Sequence, residues 1–405
     1  MLEKIIYILG AAFLFYVGYY LITSIGIFKK RKKVTNNNDD KKNFFAVIIA
    51  ARNEENVIGK LIDSLKKQSY PSEYFDIYVI VNNCTDNTLE VAKNAGAKII
   101  ECKQKVKSKG EVLKYTFNKL KSNDEIDAYV IFDADNVVHR EFLNKMNDSI
   151  NCGYEVVQGF RDTKNICDNW LSTSYAILYY LQSLFINKSR FNFGMSSFLN
   201  GTGFMVKKET IDRYGYDPKT ITEDIEYTAI CAINGIKIAF NENAITYDEQ
   251  VTDFKSSLKQ RKRWSFGAIQ CLKNYTCSLI KEGIKNKRFE CFDVIIFYFG
   301  IIFHVLFTIV SLIGIFYNVF YLNDFNSMDV VIYFIMFLIN YFIGVIFRMI
   351  VIKKCNKSIK ENIWGILLFD LFVLSWFPIN FICLFIKNCN WDHIKHDRNV
   401  DTLNI

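Results

Sequence analysis

Four stretches of this chain are too long and too apolar for the core of an ordinary water-soluble domain: residues 5–28, 291–320, 328–352 and 363–387. In a bilayer core of ~30 Å, backbone N–H and C=O groups find no water. A spanning segment must therefore be helical, and at ~1.5 Å per residue it needs about 20 residues. Each stretch meets that length, which predicts an α-helical transmembrane region with one helix before and three after a polar middle. The first run is followed by Lys29-Lys30-Arg31-Lys32-Lys33. A cleaved signal peptide carries its basic residues first and a small-residue cleavage site after the apolar run. The pattern here is reversed, so residues 1–33 read as a retained helix whose C-terminal end faces the cytoplasm. Arg348, Lys353, Lys354, Lys357 and Lys360 place the loop between the last two runs inside, and Asn323 to Asp329, without positive charge, suits the outside. The polar middle is then cytoplasmic, the C-terminal tail external, and the protein integral to the plasma membrane.

The net charge of +8 does not point to nucleic acid, because the basic residues mostly flank the apolar runs. Eleven Cys are scattered without a Cys-x-x-Cys pair, which reads as reduced thiols, and four His argue against a His-based metal site. After a polar linker over residues 34–43 the texture changes. Phe44 to Ala50, Ile77 to Asn82, Ala97 to Ile100 and Tyr129 to Phe132 are short runs rich in Ile and Val. Helix-like stretches separate them: Glu54 to Gln68, Leu89 to Ala95 and Gly110 to Lys121. This rhythm predicts a parallel sheet covered on both faces, whose ligands bind at the C-terminal strand ends. Trp170 to Asn187 and Phe254 to Tyr275 are too short or too polar to cross a bilayer and read as interface helices or as ordinary core helices.

Three polar motifs carry the chemistry. Asp133-Ala134-Asp135 follows an apolar strand, and two carboxylates so close repel unless a cation sits beside them. A divalent ion shared with substrate phosphates would explain them, although a surface turn would also produce the pattern. Thr222-Glu223-Asp224 opens a helix-like run; the acidic pair suits a helix N-terminus and equally a general base. Gln260-Arg261-Lys262-Arg263-Trp264 joins cations to an aromatic: a solvated face, a membrane anchor, or a clamp for a departing diphosphate with an indole for sugar stacking.

Their order and spacing, with apolar spans on both sides, resemble the processive family 2 glycosyltransferases, which include the cellulose, chitin, hyaluronan and poly-N-acetylglucosamine synthases. The resemblance covers nearly the whole chain. It implies an α/β GT-A (Rossmann-like) cytoplasmic catalytic domain over residues 44–253, interface helices with the Gln-Arg-x-Arg-Trp motif over 254–290, three transmembrane helices over 291–387 and a polar tail over 388–405. Ala51, Arg52, Asn53 and Glu54 resemble the first nucleotide-sugar loop, and Asn82 and Asp86 the second, with Asn82 standing where many relatives have Asp. Lys109 resembles the lysine that approaches the nucleotide. Asp133 and Asp135 match the metal motif for Mg²⁺ or Mn²⁺. Asp224, beside Glu223, matches the catalytic base. Gln260, Arg261 and Arg263 match the diphosphate clamp, and Gly201, Thr202, Gly203 and Trp264 the acceptor site. Trp391 and His396 resemble a tail motif in some relatives.

The implied reaction is inverting transfer of N-acetylglucosamine or glucose from a UDP-sugar to a growing polysaccharide, coupled to export with a possible accessory subunit. One alternative is transfer of a single sugar to a lipid acceptor by the same site. An inactive scaffold or transport subunit is the alternative of another class, and the intact acidic motifs argue against it.

Overall fold

The computed structural model describes residues 2–29, 41–320 and 327–389. The basic flank beyond Lys29, most of the polar linker, the loop around Asn323, and Trp391 with His396 lie outside the described residues. The chain opens with α1 (Leu2–Ser24), continued by a 3-10 turn, Ile25–Phe28. The sheet-forming unit then begins as β1 (Phe45–Ala51), α2 (Ile58–Lys66), β2 (Phe75–Asn82), α3 (Thr88–Asn94), β3 (Lys98–Cys102), α4 (Lys109–Leu120) and β4 (Ala128–Asp133). These four strands pair in parallel, as their rhythm predicts. Their near-continuous apolar character follows from burial on both faces. Val47 and Ile49 pack with Leu61 and Ile62 of α2, while Ala46 and Ile48 pack with Val112 and Leu113 of α4.

The rest of the sheet departs from the parallel expectation. The chain continues through β5 (Val137–Val138), α5 (Phe142–Asn151) and β6 (Val156–Thr163), then a long helical stretch of α6 (Trp170–Leu181), a π-helical segment (Gln182–Lys188) and α7 (Ser189–Phe193). It returns as β7 (Phe204–Lys207), α8 (Lys208–Tyr214), α9 (Glu223–Asn234) and β8 (Ile238–Asp248). The eight strands lie in the order β3-β2-β1-β4-β7-β6-β8-β5. β7 runs antiparallel to both β4 and β6, which makes the sheet mixed and Rossmann-like in its first half only.

Beyond the sheet come α10 (Phe254–Lys285), α11 (Phe289–Phe320), α12 (Ser327–Lys354), α13 (Ile363–Leu374) and α14 (Trp376–Cys383). Among the described residues, four segments are long and apolar enough to cross a membrane: Tyr7–Phe28, Phe289–Gly314, Met328–Lys354 and Ile363–Cys383. The last is broken at Ser375. Pro378, in the first turn of α14, has no N–H and its ring crowds the preceding carbonyls, so a helix continuous from α13 would be interrupted here. α6 is wedged between β6 and α13, with Tyr175 and Tyr180 fully buried. Its start is fixed by a capping box in which the Asn169 side chain accepts from Ser172 N while Ser172 Oγ accepts from Asn169 N.

Candidate active site

The strand ends and the apolar helices border an open cavity of about 1100 Å³, larger than most single-ligand sites. Asp133, the last residue of β4, and Asp135 both line it. The Asp-x-Asp turn is held from below: Asp133 N donates to Thr202 Oγ1 (3.0 Å) and to Asn136 Oδ1 (3.2 Å). Asp135 is buried, with Oδ2 accepting from Glu249 N at 3.2 Å.

Lys109, at the N-terminus of α4, reaches across to this turn. Its Nζ lies 2.5 Å from Asp133 Oδ1, 2.7 Å from Gly201 O and 3.8 Å from Glu223 Oε1. Burial opposes the charge on Lys109, but the Asp133 and Glu223 carboxylates outweigh it and raise its pKa. Glu223 itself is pushed up to about 7 by burial, against the pull of Lys109. Asp224, in the first turn of α9, is also raised by burial, with the Ile225 N–H and Lys109 acting the other way. Gly201 has φ +88°, a left-handed conformation that glycine adopts freely. A Cβ there would sit 3.3 Å from Asp224 Oδ2, so the bare backbone leaves room beside this carboxylate.

Of the other predicted residues, Ala51, Arg52, Glu54, Asn82, Gln260, Arg263 and Trp264 line the cavity. Asn53 and Asp86 do not. They join the loops after β1 and β2 to each other, Asn53 Oδ1 accepting from Thr85 N (2.8 Å) and Asp86 Oδ2 from Glu55 N (3.2 Å). Thr202 and Gly203 lie behind the surface, Thr202 supporting the Asp-x-Asp turn and Gly203 N donating to Ile131 O at 2.9 Å. Arg261 is the clear correction. Its guanidinium is fully buried and points away from the cavity, donating to Phe372 O (3.0 Å) and Ser375 Oγ (2.8 Å) and stacking 4.5 Å from the Phe372 ring. It caps the Phe372 carbonyl at the α13–α14 break. Arg261→Ala should therefore lower stability by about 2–3 kcal/mol, the range for lost hydrogen bonds to a charged group plus stacking. The donor KM should stay within about threefold, which steady-state kinetics beside a melting curve would check.

Arg161 and Asp248 are site residues that the motifs do not announce. Arg161 lines the cavity, its Nε and Nη2 donating to Asp248 Oδ2 at 2.7 and 2.5 Å, its Nη1 to Asn200 O at 2.9 Å, its face 3.8 Å from the Tyr179 ring. Burial raises Asp248, with Arg161 opposing. No local signal marked them: β6 also carries Gln158, Asp162 and Thr163, so Arg161 does not stand out there. Among the described residues no group of three His, Cys, Asp or Glu side chains is arranged to hold a metal. Asp133 and Asp135 still fit one, because phosphate oxygens of a donor would complete the sphere, as is usual for Mg²⁺.

Carboxylates at the start of α9, a paired acidic turn and cations about one cleft suit group transfer from a phosphate leaving group. Residues 42–267 match the family described as Glycosyltransferase like family 2. The chain belongs to glycosyltransferase family 2. It is similar to "Probable glycosyltransferase YdaM" of Bacillus subtilis, 23% identical over 368 residues that cover 85% of this chain and 81% of that one. It is also similar to the beta-monoglucosyldiacylglycerol synthase of Synechocystis sp., 24% identical over 228 residues, 55% of this chain and only 47% of that protein's length. Among solved structures, the mannosyltransferase PcManGT from Pyrobaculum calidifontis, in complex with GDP-Man and Mn²⁺, superposes with a TM-score of 0.63 at 13% identity, covering 95% of this chain and 99% of that one. The likeness in fold between this family 2 glycosyltransferase and that structure thus extends over nearly the whole of both chains.

Proposed function

We propose that this glycosyltransferase transfers one hexosyl group from a UDP-sugar to a lipid acceptor, with its catalytic domain on the cytoplasmic face of the plasma membrane. The observation that carries the reading is the continuity of the cavity. Its lining joins Asp133, Asp135 and Asp224 to an apolar set made by Val17 and Leu21 of α1, Phe185 and Ile186 of the π segment and Phe297 of α11. Such an arm has methylene-like surface and few hydrogen-bonding groups, which suits an acyl or isoprenoid chain. A growing polysaccharide, the acceptor that the motif order suggests, would need partners for its hydroxyls along that route. The name of the Synechocystis relative, a diacylglycerol glycoside synthase, agrees with a lipid acceptor. An export subunit has no part in this reading.

The residues divide the work as follows. Arg52 and Glu54 border the nucleotide side of the cavity. Asn82 Nδ2 is held by Cys102 O at 3.0 Å, while its buried Oδ1 has no hydrogen-bond partner among the described residues; a uracil N3–H would satisfy it. Arg263 and Gln260 face the donor's diphosphate from α10. Asp133 and Asp135 would hold Mg²⁺ or Mn²⁺, which supplies positive charge for the departing diphosphate. Asp224 takes the proton of the acceptor hydroxyl as that oxygen approaches the anomeric carbon. Trp264, edge-on to Tyr175 and Tyr179, offers an indole face to the sugar. The decisive experiment supplies membranes containing the protein with radiolabelled UDP-sugars and extracts the products with organic solvent. Label is expected in a lipid carrying one sugar. Label retained in a water-soluble polymer would overturn the reading.

A further inference from the structure

We infer that the last apolar run, Ile363–Cys383, does not cross the membrane but lies within the leaflet nearest the GT-A domain, its outer face against acyl chains, so that the chain enters α13 and leaves α14 on one side. Length and composition alone allow a span here. The break at Ser375 changes the arithmetic. α13 has 12 residues and α14 has 8, about 18 and about 12 Å at ~1.5 Å per residue, each short of a ~30 Å core.

The contacts of the run point the same way. Its entry is fixed to the GT-A domain: Lys357 Nζ lies 3.0 Å from Asp162 Oδ2 of β6, and Thr173 Oγ1 of α6 donates to Asn362 Oδ1 at 3.0 Å. A Cβ at Gly365 would lie 2.2 Å from Thr173 Cβ, so α13 rests directly on α6. The rest of the run turns onto α10. Arg261 donates to Phe372 O and Ser375 Oγ, Trp376 Nε1 to Ser265 Oγ (3.0 Å), Ser265 Oγ to Asn380 Oδ1 (2.6 Å) and Cys383 Sγ to Lys262 O (3.5 Å). Phe372 and Cys383 thus meet consecutive residues of α10. That helix carries Lys259, Lys262 and Arg263 around the contact and is too polar to enter a bilayer core. In a pair of antiparallel spans, later residues of α13 would meet earlier residues of α12. The order here is the reverse: Leu367 O accepts from Tyr341 Oη (3.1 Å), and the later Asp370 accepts from the later Arg348 (2.6 and 3.0 Å). α13 therefore crosses α12 rather than climbing it. Both flanks are basic, with Lys357 and Lys360 before the run and Lys387 after it, as expected of segments on the cytoplasmic side.

One face of the pair, with Ile366, Phe369, Phe372 and Ile379, is buried on the protein, while Trp364, Leu371, Leu374, Phe381 and Phe385 are exposed. An apolar face beside α11 and α12 fits the acyl chains of the leaflet those helices enter. Trp376 and Asn380 line the cavity from the other side. The candidate spans that remain are α1, α11 and α12, and the chain beyond Cys383 returns to the side of the GT-A domain, not to the outside as a count of four spans implies. This holds whatever the acceptor.

The test labels intact cells expressing the full-length protein with a membrane-impermeant maleimide, in a parent whose exposed Cys152, Cys167 and Cys277 are replaced by Ser. Lys387→Cys, just past α14, and Lys121→Cys, on the GT-A domain, are at exposed positions and should gain label only after the cells are opened. Asn323→Cys, in the loop between α11 and α12, should be labelled at once. Lys387→Cys labelled in intact cells while Lys121→Cys is protected would overturn the inference. Label on both in intact cells would overturn the cytoplasmic placement of the domain and leave the shared side of α13 and α14 standing. Spin labels on Leu371→Cys, Leu374→Cys and Phe381→Cys of the same parent, in lipid vesicles, supply a second reading. Helices within one leaflet should keep the three labels within about 5 Å in depth. A span would separate the first from the last by about 15 Å, and that result would overturn the inference.

Discussion

Asp224→Asn is expected to lower the transfer rate by roughly 10²–10⁴-fold, the range for removal of a general base, while nucleotide affinity changes by less than about threefold. The carboxamide keeps the shape of the side chain and its place in the first turn of α9, losing only the basic oxygen. The pH dependence gives an independent reading. A base must be deprotonated to act, so activity falls as pH drops through its pKa. Burial raises Asp224, and burial pushes its neighbour Glu223 up to about 7. The acid limb of kcat/KM should thus lie well above the ordinary aspartate range, reflecting the pair rather than either group alone. In Asp224→Asn that limb should vanish from the residual activity. A limb that persists unchanged, or a loss of nucleotide affinity equal to the loss of rate, would make Asp224 a binding or folding residue.

How legible all this was in the sequence depended on how local each signal is. β1, β2 and β4 are continuous Ile, Val and Phe runs because both of their faces are covered, and their parallel order follows from the intervening helices. The second half of the sheet has no such rhythm. β7 is only Phe204–Lys207 and pairs back to β4 across a long insertion, and β8 carries Asn241, Glu242 and Asn243 in its middle. Such pairings are set by tertiary packing, not by local pattern. The Arg161–Asp248 pair is invisible for the same reason, its partners lying on β6 and β8. Arg261 is different, because its misplacement was avoidable. At 3.6 residues per turn, Gln260, Arg263 and Trp264 stand at i, i+3 and i+4 and share one face of α10. Arg261 is rotated about 100° from Gln260 and falls outside that face. Adjacency in a motif says that residues occur together, and helical phase says which of them meet the substrate. The break in the last apolar run was likewise signalled by Pro378 within a stretch otherwise read as one helix.

Removal of divalent metal should cost as much as removal of the base. Asp133, Asp135, Glu223 and Asp224 line one cavity, and Lys109 reaches both Asp133 and Glu223. One ammonium group cannot balance this cluster and also meet a diphosphate, so the donor must bring a cation with it. Excess chelator should reduce transfer to below about 1% of the untreated rate, and Mn²⁺ or Mg²⁺ should restore it. The double variant Asp133→Ala, Asp135→Ala should be as inactive as the chelated protein and should not respond to added metal at any concentration. The hydrogen bonds from the backbone N–H of Asp133 to Thr202 and Asn136 survive in this variant, while Lys109 loses Asp133 and Glu249 N loses Asp135, so a modest fall in melting temperature is expected without loss of the fold. Its melting curve therefore separates loss of metal from loss of fold. Full activity in chelator, or a double variant that still responds to Mn²⁺, would show that the leaving group is stabilised by Lys109, Arg52 and Arg263 alone.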